Sequence, residues 1–201
     1  YIGQGLEPGE KVALKFEREG IDVPQLRHEY KVYRALFEVD GLPRVHHFGT
    51  YDGANVMVMD MLGSSIENLL KKCGGKFSVK TSLKLGDRML ERIEMVHKAD
   101  YIHRDLKPAN WVVNSMDENV LFLIDFGLAR SWRNPLTQQH IPISFGNRLL
   151  GTARFASINN HRGVQLSRRD DIEAIAYMII YFLRGKLPWQ DLKAETKKKK
   201  Y

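Results

Sequence analysis

The sequence predicts an α+β fold of two lobes: a small antiparallel sheet with one helix over residues 1–59, and a mainly helical part over 64–201, joined by a connector at 60–63. Three observations carry that reading. Apolar residues recur with a period of two on both sides of Asp52-Gly53, a hairpin-turn signal, so paired strands are expected there. Beyond Asp60-Met61-Leu62-Gly63 the period lengthens to that of helices. Inside the helical part, WVVN at 111–114 and VLFLI at 120–124 are short β-branched and aromatic runs flanking Asn114, Ser115, Asp117 and Asn119, which read as strand, turn and strand.

In chain order, Glu10 to Glu17 alternates Val12, Leu14 and Phe16 with Ala13, Lys15 and Glu17, a strand entered through Pro8-Gly9, with Lys15 pointing off the core face. From Pro24 to about Glu38, Leu26, Tyr30, Tyr33 and Phe37 recur at helical spacing, with proline in the opening turn where its missing N–H costs little. Strands follow at Val45 to Tyr51 and Asn55 to Met59. Ser64 or Ser65 caps a short helix through Lys72, closed by Gly74-Gly75. From Ser78 to Ala99 one stripe holds Leu83, Leu90, Ile93 and His97, widened by Met89 and Val96, and His97 reads as a packed residue rather than a ligand. From Asp170 to Arg184, Ile172, Ile175, Ala176, Ile179, Ile180 and Leu183 make one stripe while Tyr177, Met178, Tyr181 and Phe182 fill the other face, the pattern of a buried helix. Asp171 at its start is then a buried acid, and backbone N–H groups of the loop after Tyr101 are its natural partners.

With 43% apolar and 27% charged residues in 201, the chain has the mixture of a globular protein with a sizeable core. A net charge of +7 favours anionic partners without choosing among them. The single cysteine, Cys73, excludes an internal disulfide and a cysteine-rich zinc site, and fits a reducing compartment. No apolar run approaches the ~18 residues of a spanning helix, the nearest being Ala174 to Leu183. The chain opens at Tyr1 in what reads as a strand, so a piece of a longer protein is expected.

The chemistry concentrates between Tyr101 and Gly127. His103-Arg104-Asp105, Lys107, Asn110 and Asp125-Phe126-Gly127 match the two halves of the protein-kinase signature. A phosphoryl group in transfer carries its charge on oxygens, so catalysis reduces to placing cations and one proton acceptor. Asp105 is the acceptor, Lys107 reaches the same phosphoryl oxygens, and Asn110 and Asp125 offer the hard oxygens that magnesium prefers. Alone, Asp-Phe-Gly is most often a turn and His-Arg-Asp a solvated loop; the joint pattern, with Gly151-Thr152-Ala153-Arg154-Phe155 downstream, carries the assignment. Val-Ala-Leu-Lys ending at Lys15 fits the strand lysine that pairs with ATP phosphates, and Glu29 is its candidate partner. The plainer alternatives are an exposed strand lysine and a solvated helix glutamate.

Laid out this way, the chain resembles a eukaryotic protein kinase, and more narrowly the casein kinase I family. The narrower likeness rests on GTARFASINNH, with Ser157-Ile158-Asn159 in place of Ala-Pro-Glu, on LSRRDDIE, and on LPWQDLKAETKKKK. It covers essentially the whole chain, as a two-lobed kinase fold truncated at both ends. The resemblance implies a serine/threonine kinase using ATP and Mg2+. It places Ala13, Val112 and Ile124 along the adenine slot, Met59 as gatekeeper, the backbone of Asp60 and Leu62 on adenine, and Thr152 as a brace for Asp105 and Lys107. It implies protein substrates with acidic or phosphorylated residues, held by Arg154 and Lys200, with a second basic pocket at Arg104 and Arg130.

The chain departs from the family at Asn147, where a lysine is usual, and lacks the glycine-rich loop over the ATP phosphates, so little activity is expected of these residues alone. A monomer without direct nucleic-acid binding is expected, in the cytoplasm with the nucleus also open to it. A pseudokinase or scaffold binding anions through its basic face is the alternative, disfavoured by the complete set Lys15, Glu29, Asp105, Asn110 and Asp125. A small-molecule kinase is weaker still, given the Thr152-to-Asn159 pattern.

Overall fold

The computed structural model describes residues 1–5, 9, 11–18, 20–190 and 192. Strands β1 (Ile2–Gln4), β2 (Lys11–Arg18), β3 (Val45–Tyr51) and β4 (Ala54–Asp60) form one antiparallel sheet in the order β1-β2-β4-β3. Its hairpin turns at Asp52 and Gly53, both at positive φ (47° and 69°), as a two-residue turn matched to strand twist requires. Helix α1 (Leu26–Ala35) packs on one face of this sheet. It begins later than the sequence predicts. Pro24 lies before it, and Glu17 takes the capping role, accepting the N–H groups of Gln25 (2.6 Å) and Leu26 (2.8 Å). Phe37, expected on its apolar stripe, is beyond its end and exposed.

The inward face of β2 is the reverse of the expected one. Ala13 pairs with Met59, Lys15 with Met57 and Glu17 with Asn55, and Met57, Met59 and Glu17 are buried. Lys15 is on this core-facing side. Leu14 and Phe16 lie on the other face, where Phe16 packs edge-on against Tyr1 and Tyr51. Alternation locates a strand's two faces but does not say which face a helix will cover.

After β4 come α2 (Ile66–Lys72), capped by Ser65, and α3 (Val79–Lys98), capped by Ser78. Both caps accept a backbone N–H two or three residues into the helix, as small hydroxyl side chains do. The buried side of α3 is Ser82, Gly86, Met89, Ile93, Val96 and His97. Leu83 and Leu90, expected in the stripe, are exposed. Gly86 explains the rotation, because a Cβ there would stand 2.6 Å from the Ile179 side chain, so the glycine sets the line of closest helix approach.

That approach is made by α5 (Arg168–Arg184), which follows the short α4 (Ile158–His161). Helix α5 starts with a reciprocal capping box between Ser167 and Asp170. It buries Ala174, Ile175, Met178, Tyr181 and Phe182, but Ile172, Ala176 and Ile180 are exposed, so it is not covered all round. Two small antiparallel pairs complete the fold. Strand β5 (Tyr101–Ile102) pairs with β8 (Arg130–Ser131), and β6 (Trp111–Val113) pairs with β7 (Leu121–Leu123). Among the described residues no helix is long and apolar enough to cross a membrane.

Candidate active site

The short hairpin of β6 and β7 brings the two halves of the signature together. A 3-10 turn at Pro108–Asn110 leads into β6, and Asp125 is the second residue after β7. The Ile124 N–H donates to Asn110 O at 2.9 Å, which locks the two ends in register. Asp125 has a left-handed backbone (φ 70°), and its N–H donates to the Tyr33 hydroxyl at 3.1 Å. Phe126 is fully buried between Tyr33 and His103, edge-on to both at 5.1 and 4.9 Å. That packing ties the segment to α1.

From the sheet, Lys15 Nζ donates to Glu29 Oε2 at 2.7 Å and to Asp125 Oδ1 at 2.8 Å. The expected ion pair therefore forms, and the lysine also reaches Asp125. Burial alone would lower the Lys15 ammonium, but Glu29 and Asp125 outweigh it and raise it above its ordinary value. Asp125 is likewise pushed up by burial, yet Lys15 prevails and holds its carboxyl below the usual range. Glu29 is almost entirely buried, and there desolvation wins over Lys15 and raises its carboxyl.

The loop around Asp105 is fixed from below. Asp171 Oδ2 accepts the N–H of His103 (2.9 Å) and His97 Nε2 (2.8 Å), while Oδ1 accepts the N–H of Arg104 (2.9 Å). This is the expected buried acid with backbone partners, and His97 joins it. Arg104 needs such anchoring, since its φ of 69° is left-handed and strained for a side-chain-bearing residue. His103 Nε2 lies 3.1 Å from Ile124 O, and its Nδ1 accepts the Asp105 N–H at 3.2 Å, which assigns the neutral ring with the proton on Nε2. Burial lowers the His103 imidazole below its ordinary value and keeps it in that form.

Asp105 Oδ2 accepts from Lys107 Nζ at 2.6 Å, and its Oδ1 accepts the backbone N–H of Thr152 at 2.8 Å. The Thr152 brace is thus made by the main chain. Gly151 makes the approach possible, because it sits at φ 69° and a Cβ there would lie 2.7 Å from Asp105 Oδ1. Asn110 Nδ2 donates to Asp105 O at 2.9 Å, so its amide oxygen is not used in that bond.

Two oxygen donors, Asn110 and Asp125, are what magnesium needs from a protein when phosphates and water complete its shell. Among the described residues no group of three or more His, Cys, Asp or Glu is arranged to hold a metal ion.

Ala13 and buried Met59 stand opposite each other on β2 and β4, and Val112, also buried, is on β6. The Asp60 N–H is taken by Arg44 O at 3.0 Å and its carboxylate by the Arg44 N–H and His46. Leu62 and Ile124 are partly buried. Arg154 lies over the Phe155 and Tyr181 rings, and its carbonyl accepts from the Trp189 indole at 2.8 Å. Lys200 lies outside the described residues. Arg104 donates Nε to Leu128 O at 2.6 Å, and Asn147 donates Nδ2 to the Ser144 and Gly163 carbonyls at 3.3 and 3.0 Å.

Sequence reasoning missed several groups that hold the site. Asp170 accepts from Ser157 Oγ (2.6 Å) and Asn159 Nδ2 (3.3 Å), and Glu173 accepts from the Ile158 N–H (2.8 Å) and Tyr177 OH (2.6 Å). Asn160 bonds both the N–H and the carbonyl of Leu150. The Ser-Arg-Arg-Asp-Asp run at 167–171 was the available signal, since two adjacent acids entering a buried helix must both find donors.

Comparison with known proteins agrees with this geometry. Residues 5–201 match the protein kinase domain. The chain belongs to the protein kinase family. Casein kinase I homolog 1 of Schizosaccharomyces pombe is 46% identical over 204 residues, which cover 100% of this chain and 46% of that protein. The chain therefore spans about half the length of this curated relative, and its likeness is to the casein kinase I branch of protein kinases. Protein kinases use ATP and Mg2+.

Proposed function

We propose that the protein transfers the γ-phosphate of ATP to serine or threonine hydroxyls of protein substrates. One observation carries the reading: Lys15 bridges Glu29 and Asp125 at 2.7 and 2.8 Å while Asp105 is held by Lys107 and by the Thr152 N–H, so both halves of the phosphoryl-transfer apparatus are assembled at once. Lys15 would hold ATP phosphates, and Asp125 with Asn110 would hold magnesium. Asp105 would accept the hydroxyl proton, and Lys107 would steady the phosphoryl oxygens. Ala13, Met59, Val112 and Ile124 would enclose adenine, with the backbone of Asp60 and Leu62 on its edge. Arg154, fixed over two aromatic rings at the mouth of a groove shared with Thr152 and Trp189, would meet an acidic or phosphorylated residue of the substrate. A complete and connected catalytic set argues against a scaffold that has lost catalysis.

The test is Asp105→Asn in the full-length protein. Turnover on a serine peptide should fall by ~10²–10⁴, the scale of a lost general base, with ATP affinity unchanged. A wild-type protein without phosphotransfer, or a variant within about threefold of it, would remove the reading.

A further inference from the structure

The segment from Asp125 to Ala129 is held along its length by one side of α1 and the residue that opens it. The Tyr33 hydroxyl accepts the Asp125 N–H at 3.1 Å, and the Phe126 N–H faces the Glu29 carboxylate. Gln25 lies against Gly127, where a Cβ would stand 3.0 Å from its Oε1. The outermost contact is His28 Nε2 to the Ala129 carbonyl at 2.8 Å, and it plays no part in the catalytic set. A carbonyl has no proton to give, so Nε2 carries the proton and His28 is the donor.

The preceding carbonyl, Leu128 O, accepts from Arg104 Nε at 2.6 Å. Adjacent carbonyls of one short stretch are therefore taken by two different parts of the molecule: Leu128 by the loop that carries Asp105, and Ala129 by the helix that carries Glu29. Just beyond, β8 pairs Arg130 with Ile102 and Ser131 with Tyr101, which ties the same stretch to the strand before the catalytic loop. Ala129 is fully buried whereas His28 is exposed, so the ring gains little from burial and contributes its hydrogen bond. Through that bond α1 and the Asp105 loop are referred to a single piece of backbone. We propose that His28 is a positioning residue that fixes α1 to the segment after Asp125 and so sets Lys15 and Glu29 at their working distance from Asp105.

Loss of the bond leaves Lys15 on Glu29 and on Asp125, so the groups that would hold phosphate and magnesium stay in place. What loosens is the span from those groups to Asp105. Misplacement of that kind lowers the rate of transfer from a bound nucleotide, and the effect should fall on kcat and not on KM for ATP. The effect on turnover rests on the kinase reading above, whereas the hold of α1 on the segment does not.

The experiment compares full-length wild type with His28→Ala, which removes the donor, and with His28→Gln, whose amide Nε2 can donate to the same carbonyl. In His28→Ala, kcat on a serine peptide should fall about threefold to tenfold, the scale of one hydrogen bond, while KM for ATP stays within about twofold. Amide exchange at residues 128–131 should quicken by a similar factor, and His28→Gln should recover most of both. Unchanged exchange at those amides in His28→Ala overturns the proposal. In a wild type that transfers phosphate, so does a kcat unchanged in His28→Ala, a loss that falls on KM instead, or a loss that His28→Gln does not recover. Faster exchange in His28→Ala, recovered in His28→Gln, with a wild type that phosphorylates no peptide, would keep the hold of α1 on the segment and remove the kinase reading.

Discussion

Asp171→Asn tests whether the loop carrying Asp105 is held from beneath. The carboxylate accepts three donors, His97 Nε2 and the N–H groups of His103 and Arg104, and it is 2% exposed. Asparagine keeps one acceptor oxygen and turns an NH2 group toward donors, so at least one buried N–H loses its partner. A charge-assisted bond of ~1.5–3 kcal/mol is lost and an orphaned donor costs a further ~1–3 kcal/mol. Release of the left-handed Arg104 backbone returns about 1–2 kcal/mol. The net is a loss of roughly 0.5–5 kcal/mol, centred near 3 kcal/mol, a large fraction of the ~5–15 kcal/mol by which domains are stable. Denaturant unfolding should show the midpoint falling with an unchanged slope, and amide exchange should speed up at 103 and 104 before it does in α3. A loss under about 0.5 kcal/mol, or unchanged exchange at those two amides, would refute the argument.

Three further expectations follow from the same contacts. Asp125→Ala should abolish magnesium-dependent ATP binding, and equal Mg-ATP affinity by calorimetry would contradict its role as the metal carboxylate. Glu17→Ala leaves the Gln25 and Leu26 N–H groups without a cap, so it should cost about 1–2 kcal/mol and lower kcat by loosening α1 and Glu29; a stable variant with normal kcat would show that Glu17 does not position the helix. His103 has its imidazole lowered in the folded state, so stability is fully present above the unfolded value of ~6.5 and falls as pH drops toward the folded value, by up to ~1.4 kcal/mol per pH unit. His103→Gln should flatten that part of the stability profile, and an unchanged slope would assign it elsewhere.

Much of this was legible because local rules and tertiary demands agree. Ser65 and Ser78 cap the helices they precede, Asp52-Gly53 turns the hairpin, and the β6–β7 pair sets Asn110 beside Asp125, each with its cause within a few residues in the chain. What sequence left open depends on partners distant in the chain. Leu83 and Leu90 look like core, but Gly86 sets the seam of α3 against Ile179, a residue of α5. Thr152 was expected to brace Asp105, yet its backbone makes the bond, which depends on Gly151 having no Cβ and not on the hydroxyl.

The inverted face of β2 shows why the site itself was harder to read than the fold. Val12, Leu14 and Phe16 are the apolar half of the alternation, and by hydrophobicity alone they should face the helix. Instead Lys15 and Glu17 face the side on which α1 lies, Glu17 buried and Lys15 with its side chain 41% exposed. Both are engaged there: Glu17 by the residues that open α1, and Lys15 by Glu29 in the first turn of the same helix. The register that costs apolar burial on β2 is thereby the one that ties α1 to the strand at two points and aims Lys15 at Asp125. A strand chosen for stability alone would present leucine and phenylalanine to α1. This one presents the residues that a phosphate site needs, and it recovers their desolvation through hydrogen bonds that also fix the helix in place.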